Sequence, residues 1–242
     1  MSDAETAVLD RTAALAAPSG LAGILAEAGV VARPQTFGEE LANSVSHGAG
    51  MLAAAAGVPF LLMRAARSAR GTTAEFGAVV FAVAVLLVYL SSSVYHAWPR
   101  GRVKRVLRVV EHSAIFLLIA GTYTPFTLGV LRGPLGWTLF AVVWALAAFG
   151  VTLKIAGGLR YPRLSTALYL LMGWLAVVAI HPLWLSLPRA GFLWLLAGGL
   201  SYTLGVVFYL TDNRLRYGHF LWHLFVMAGT ACHFLVVLRY AL

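Results

Sequence analysis

Charge is what this sequence has least of. Only 11% of its 242 residues are charged, against 60% hydrophobic, and the mean hydropathy is +0.83. Soluble chains carry about 25% charged residues, so a soluble globular domain is excluded. High hydrophobicity also excludes intrinsic disorder over most of the chain. A single cysteine, Cys232, excludes a disulfide framework and reads as a small buried hydrophobe. There is no glycine-rich phosphate loop and no repeat of fixed period. Acids are scarcest of all, nine against eighteen Lys and Arg, for a net charge of +9. In a soluble protein that excess would suggest nucleic acid. In a chain this apolar it marks loops facing an anionic membrane surface, so the expected partner is membrane lipid and not nucleic acid.

What the chain has instead is a succession of apolar runs. They fall at 48–66, 75–97, 109–131, 135–155, 164–185, 191–211 and 219–240. Each is long enough to cross a bilayer as a helix. The expected fold is therefore an all-α membrane protein, a seven-transmembrane helix bundle over 47–242 in the cell (plasma or inner) membrane. Residues 1–46 differ. They hold six of the nine acids (Asp3, Glu5, Asp10, Glu27, Glu39 and Glu40) and are broken at Pro18-Ser19-Gly20 and at Pro34. They read as a cytoplasmic tail, partly disordered or amphipathic. The acidic start is unlike a secretory signal.

Seven spans put the termini on opposite sides, and loop Lys and Arg decide which. Twelve of the eighteen (Arg11, Arg33, Arg100, Arg102, Lys104, Arg105, Arg108, Lys154, Arg160, Arg163, Arg214, Arg216) fall on the side of the N-terminus. The N-terminus is expected in the cytoplasm and the C-terminus outside. Arg64, Arg67 and Arg70 oppose that assignment locally.

Ionisable residues within spans are costly and mark function by default. Five of the seven histidines gather near one membrane face. His47 opens span 1, His96 ends span 2, His112 follows Glu111 at the start of span 3, and His219 and His223 open span 7. Alternating helices bring all these ends to the same leaflet. His219 and His223 are four apart, hence on one helical face, a spacing that can hold a metal. With His96 they make three nitrogen ligands and leave a fourth position for water or substrate. Zinc suits such ligands. The competing reading is interfacial imidazoles satisfied by headgroups.

Glu111 is placed to orient or deprotonate water at that site, or to ligate the metal, and Ser92 shares a face with His96. The alternatives are a helix N-terminal carboxylate paired with Arg108, and a serine bonded back to its own helix. Glu40, Asn43 and His47 share another face, either as a polar cluster under the site or as a helix surface in water. His112 is a supporting partner or an exposed imidazole. Gly121-Thr122-Tyr123-Thr124-Pro125 reads as a helix kink, hence architecture. His233, ten residues beyond His223, reads as a hydrogen-bonded packing residue, and His181 lies at the opposite end.

In this order and spacing, Glu40-x-x-Asn43-x-x-x-His47-Gly48, Ser92-x-x-x-His96, Glu111-His112-Ser113-Ala114-Ile115, Gly121-Thr122-Tyr123-Thr124-Pro125 and His219-x-x-x-His223 resemble the bacterial hemolysin III family, within the progestin and adipoQ receptor (PAQR) family. The resemblance covers 37–242. It implies seven helices with a cytoplasmic N-terminus, and a zinc ion near the cytoplasmic face on His96, His219 and His223, with Ser92 beside it. This chain has Glu111 where the family usually has an Asp that contacts the metal's water. The resemblance extends to membrane hydrolases such as alkaline ceramidases. It implies a zinc-dependent hydrolase of a lipid amide or ester, with Glu111 and Ser92 as its catalytic residues. The alternatives are a receptor, sensor or membrane-homeostasis protein with structural zinc, and a pore-forming cytolysin.

Overall fold

A computed structural model of the chain describes residues 33–131, 133–157 and 160–242. Among them, seven helices are long and apolar enough to cross a membrane. They are α1 (Phe37–Ala66), α2 (Thr72–Ala97), α3 (Arg102–Val130), α4 (Gly133–Gly157), α5 (Pro162–Ser186), α6 (Arg189–Thr211) and α7 (Gly218–Ala241). The chain is a multi-pass, all-α membrane protein. Residues 1–32 of the expected tail, including Arg11, and Arg132 among the loop charges lie outside the described residues.

The expected spans match α2 and α4–α7 closely, but α1 begins at Phe37, eleven residues before the expected 48. The cause is local. Thr36 and Glu39 form a capping box, in which the Glu39 N–H donates to Thr36 Oγ1 and the Thr36 N–H to Glu39 Oε2. That motif sets a helix start on polar residues, where hydropathy gives no signal. The basic stretch from Arg102 likewise extends α3 ahead of its apolar run, because Lys and Arg are good helix formers.

Small residues let helices meet where lipid offers no hydrophobic drive. A Cβ on Gly121 of α3 would stand 2.5 Å from Ala84 Cβ of α2, and one on Gly77 would stand 2.9 Å from Pro125 Cα. Between α6 and α7, Gly205 takes Trp222 and Gly229 takes Tyr202 in the same way. The buried core includes Leu61, Phe81, Phe116 and Met172.

The kink segment serves as a brace. Around Pro125 the hydroxyls of Thr122, Thr124 and Thr127 donate to the carbonyls of Leu118, Ala120 and Tyr123, and α3 widens into a π turn at Phe126–Val130. The Tyr123 hydroxyl crosses to α5, accepting from the Ala176 N–H at 2.7 Å and donating to the Gly173 carbonyl at 2.9 Å. There α5 tightens into a 3₁₀ turn at Leu175–Ala179. A side chain thus satisfies backbone groups where the helix changes pitch, as a spanning helix requires. Along their length α5 and α6 meet at few points, among them the Trp174–Thr203 hydrogen bond and the Trp184–Phe192 ring contact. A cavity of about 210 Å³ lies behind the gap. Trp174, Val177, Ile180 and Leu196 line it and are also exposed on the outside of the bundle, so it opens between α5 and α6.

Candidate metal centre

The start of α1, the end of α2 and the starts of α3 and α7 lie at one end of the bundle, and each contributes a polar side chain to one buried cluster. His96, Glu111, His219 and His223 each offer one ligand atom, and these atoms all lie within 4.8 Å of one another. His96, Glu111 and His223 are buried and His219 is partly buried.

Each imidazole is held by its other nitrogen. His96 Nδ1–H donates to Glu40 Oε2 at 2.8 Å, His219 Nδ1–H to Asp212 Oδ2 at 2.9 Å, and His223 Nδ1–H to the Asn43 carbonyl at 3.1 Å. Carboxylate and carbonyl oxygens only accept, so each Nδ1 carries the proton and each Nε2 is left as a bare lone pair. His96 Nε2 and His219 Nε2 are buried with no hydrogen-bond partner. Buried acceptors without partners are costly, and several aimed at one point are what a cation satisfies. Outer partners that fix tautomer and ring orientation are the usual support of a metal-binding histidine. The donor set fits a metal ion.

Glu111 completes the group. Its Oε1 accepts from Ser92 Oγ at 2.8 Å and lies 3.5 Å from His96 Nε2. Ser92 is therefore not bonded back to its own helix, and no Arg108–Glu111 pair forms among the described residues.

Glu40, Asn43 and His47 come together beneath the centre, and Asn43 and His47 are buried rather than facing water. Glu40 braces His96 and also takes Lys104 Nζ at 2.8 Å. His47 stacks on His223, with ring centroids 3.6 Å apart and planes 9° from parallel. His112 lies beside Glu111, its Nδ1 3.5 Å from Glu111 Oε2. Its Nδ1 donates to the Arg108 carbonyl at 2.7 Å, and Tyr209 Oη lies 3.4 Å from its Nε2.

Sequence reasoning passed over Asp212, Ser46 and Glu39. Asp212 was visible as the only acid after Glu111, seven residues before His219. Ser46 Oγ lies 3.1 Å from His223 Nδ1 and donates to the Asn43 carbonyl. Glu39 takes both Arg33 guanidinium nitrogens, at 2.6 and 2.9 Å, and the Tyr217 N–H at 2.9 Å. That bond raises the Arg33 pKa still further. Tyr217 has φ 59°, the one positive value outside glycine among the described residues, and immediately precedes α7. Glu39 thus ties α1 to the strained turn that sets the start of α7, and with it His219. The capping-box spacing was the available signal.

The centre opens directly into the cavity, whose lining includes His47, Ser92, Glu111 and His223 at this end; most of the rest of its surface is apolar, with His233 and a few hydroxyls among the lining.

Residues 35–234 match the haemolysin-III-related family. Hemolysin-3 of Bacillus cereus is 44% identical over 205 residues, covering 84% of this chain and 92% of that protein. A Hemolysin-3 homolog of Bacillus subtilis is 43% identical over 206 residues, 85% of this chain and 95% of that one. The human monocyte to macrophage differentiation factor is 28% identical over 171 residues, 66% of this chain and 68% of that protein.

Proposed function

Because the chain belongs to the haemolysin-III-related family and joins a four-donor centre to an apolar chamber, we propose that it is a zinc-dependent hydrolase of a membrane-lipid amide or ester. The observation that carries this reading is continuity: the cavity lined by Glu111 and His223 at one end reaches the outer surface between α5 and α6. A lipid chain can enter from the bilayer while its carbonyl reaches the polar end. Imidazole nitrogen and carboxylate oxygen suit zinc without calling for redox chemistry. Eleven Lys and Arg of the described residues flank this end (Arg33, Arg100, Arg102, Lys104, Arg105, Arg108, Lys154, Arg160, Arg163, Arg214 and Arg216), which supports a cytoplasmic centre and N-terminus.

Zinc at such a site polarises a carbonyl and makes water acidic near neutral pH. The chain's own residues do the rest. Glu40, Asp212 and the Asn43 carbonyl keep three imidazoles oriented. Ser92 holds one oxygen of Glu111, leaving the carboxylate to take a proton from the attacking water and return it to the leaving group. The apolar walls align the acyl chain and exclude bulk water.

The test is purified, zinc-replete protein in nanodiscs, given a ceramide and an ester of matched chain length, with fatty-acid release as the readout. Glu111→Gln is expected to lower the rate at least about 100-fold while zinc remains bound. No release from either lipid by the zinc-replete wild type overturns the hydrolase reading.

A second reading has its own observation. Glu111 belongs to the same close group as the three histidines, and four protein donors describe a closed, structural site. Zinc then staples α2, α3 and α7 in a sensor or membrane-homeostasis protein. Loss of zinc from Glu111→Gln, with no lipid hydrolysis by the wild type, favours that reading.

A further inference from the structure

The cavity has a second polar end. His233 lies on α7, ten residues beyond His223, and both line the same cavity. Ten residues of helix separate them by about 15 Å. His233 is 8% exposed. Its Nε2–H donates to the Leu195 carbonyl of α6 at 3.1 Å, and its Nδ1 is buried with no hydrogen-bond partner. The bond to a carbonyl fixes the tautomer, so the free nitrogen is an acceptor. Gly198 makes room for this placement, since a Cβ there would collide with the imidazole. The neighbouring hydroxyls do not fill the need, because Tyr202 and Thr230 bond to each other at 2.8 Å.

A bare acceptor on a ring that lines an apolar chamber calls for a donor. We propose that His233, seated against Gly198, forms a subsite for a hydroxyl carried on the ligand's chain about 15 Å from the metal centre. This rests on the reading of the cavity as a lipid chamber and names the lipid class it selects, one with an acyl chain hydroxylated far from its carbonyl. A chain bearing that hydroxyl loses its water on entry and regains a hydrogen bond at Nδ1. An unsubstituted chain of equal length leaves Nδ1 unpaired.

The experiment is calorimetric binding of dodecanoate, ω-hydroxydodecanoate and β-hydroxydodecanoate to zinc-loaded protein in detergent. No turnover is required. The ratio of the ω-hydroxy to the plain affinity is expected to fall about tenfold from wild type to His233→Phe. The β-hydroxy ratio, whose hydroxyl stays near the metal end, is expected to stay the same. Gly198→Ala, which displaces the ring, is expected to reproduce the fall, and zinc content equal to wild type certifies each variant's fold. An unchanged ω-hydroxy ratio in the folded variants overturns the subsite while leaving the lipid chamber standing. If wild type binds none of the three, the chamber reading falls and the subsite with it. Binding of these acids together with no fatty-acid release from the ceramide or the ester overturns only the enzymatic reading.

Discussion

The two halves of this bundle use the same apolar alphabet to opposite ends. On one side, α2 packs closely on α1 and α3, and side chains from α2, α3 and α7 meet in a polar core. Gly77 and Gly121 let backbones approach, and each histidine of the metal group has its outer nitrogen bonded. On the other side, α5 and α6 stay apart and enclose space. Hydrophobicity does not separate the halves, since both are spans by length and hydropathy. The difference lies in where small residues meet and where polar groups must be satisfied. Precise placement of donors needs the tight half, and the proposed entry of a chain from the bilayer needs the loose one.

The strongest way to break this contrast is to remove the donors on the tight side. His96→Ala and His223→Ala are each expected to take bound zinc from about one per chain to near zero, read by elemental analysis of purified protein. His181→Ala, at the far end, is expected to leave zinc unchanged. Equal zinc in all three would mean that the buried donors do not form the site. Next in size is the outer partner. Asp212→Asn keeps the shape but replaces the carboxylate that takes the His219 proton, and is expected to weaken zinc about 10- to 100-fold in competition with a chelator. An unchanged affinity would show that His219 is oriented by packing alone.

How much of this could be read in the residues depends on what each feature is made of. The spans were legible because a bilayer imposes a long uninterrupted apolar run. The grouping of His96, Glu111, His219 and His223 was legible because alternating helices fix which ends share a leaflet. The start of α1 was hidden, since the Thr36–Glu39 capping box has no hydropathy, and with it the burial of Asn43 and His47. Asp212 was visible as a lone acid, but its partner was hidden because Asp212 lies in a turn whose path no periodicity describes. The cavity was hidden most deeply. It depends on a change of helical pitch at Leu175–Ala179 and on one tyrosine, Tyr123, reaching from another helix to satisfy it. The kink motif announced a bend in α3 but not that its hydroxyl would brace α5.

The finest test asks the same question of two glycines. Gly121→Ala puts a methyl 2.5 Å from Ala84 Cβ, between two packed backbones. The helices must part, and the expected cost is about 1–3 kcal/mol. Gly199→Ala puts the same methyl on α6 where no atom outside its own helix lies within 4 Å, on the wall of the cavity. There it meets nothing, and it removes freedom from the unfolded chain, so it is expected to stabilise by about 0.4–1 kcal/mol. Thermal unfolding in one detergent reads both, and opposite signs are the expected result. A loss at Gly199 as large as at Gly121 would mean that α5 and α6 close on each other in solution and that the chamber between them is not open space. A gain at Gly199 with unchanged zinc content would show that the loose half can be tightened without disturbing the donors, as a chamber distinct from the metal centre requires.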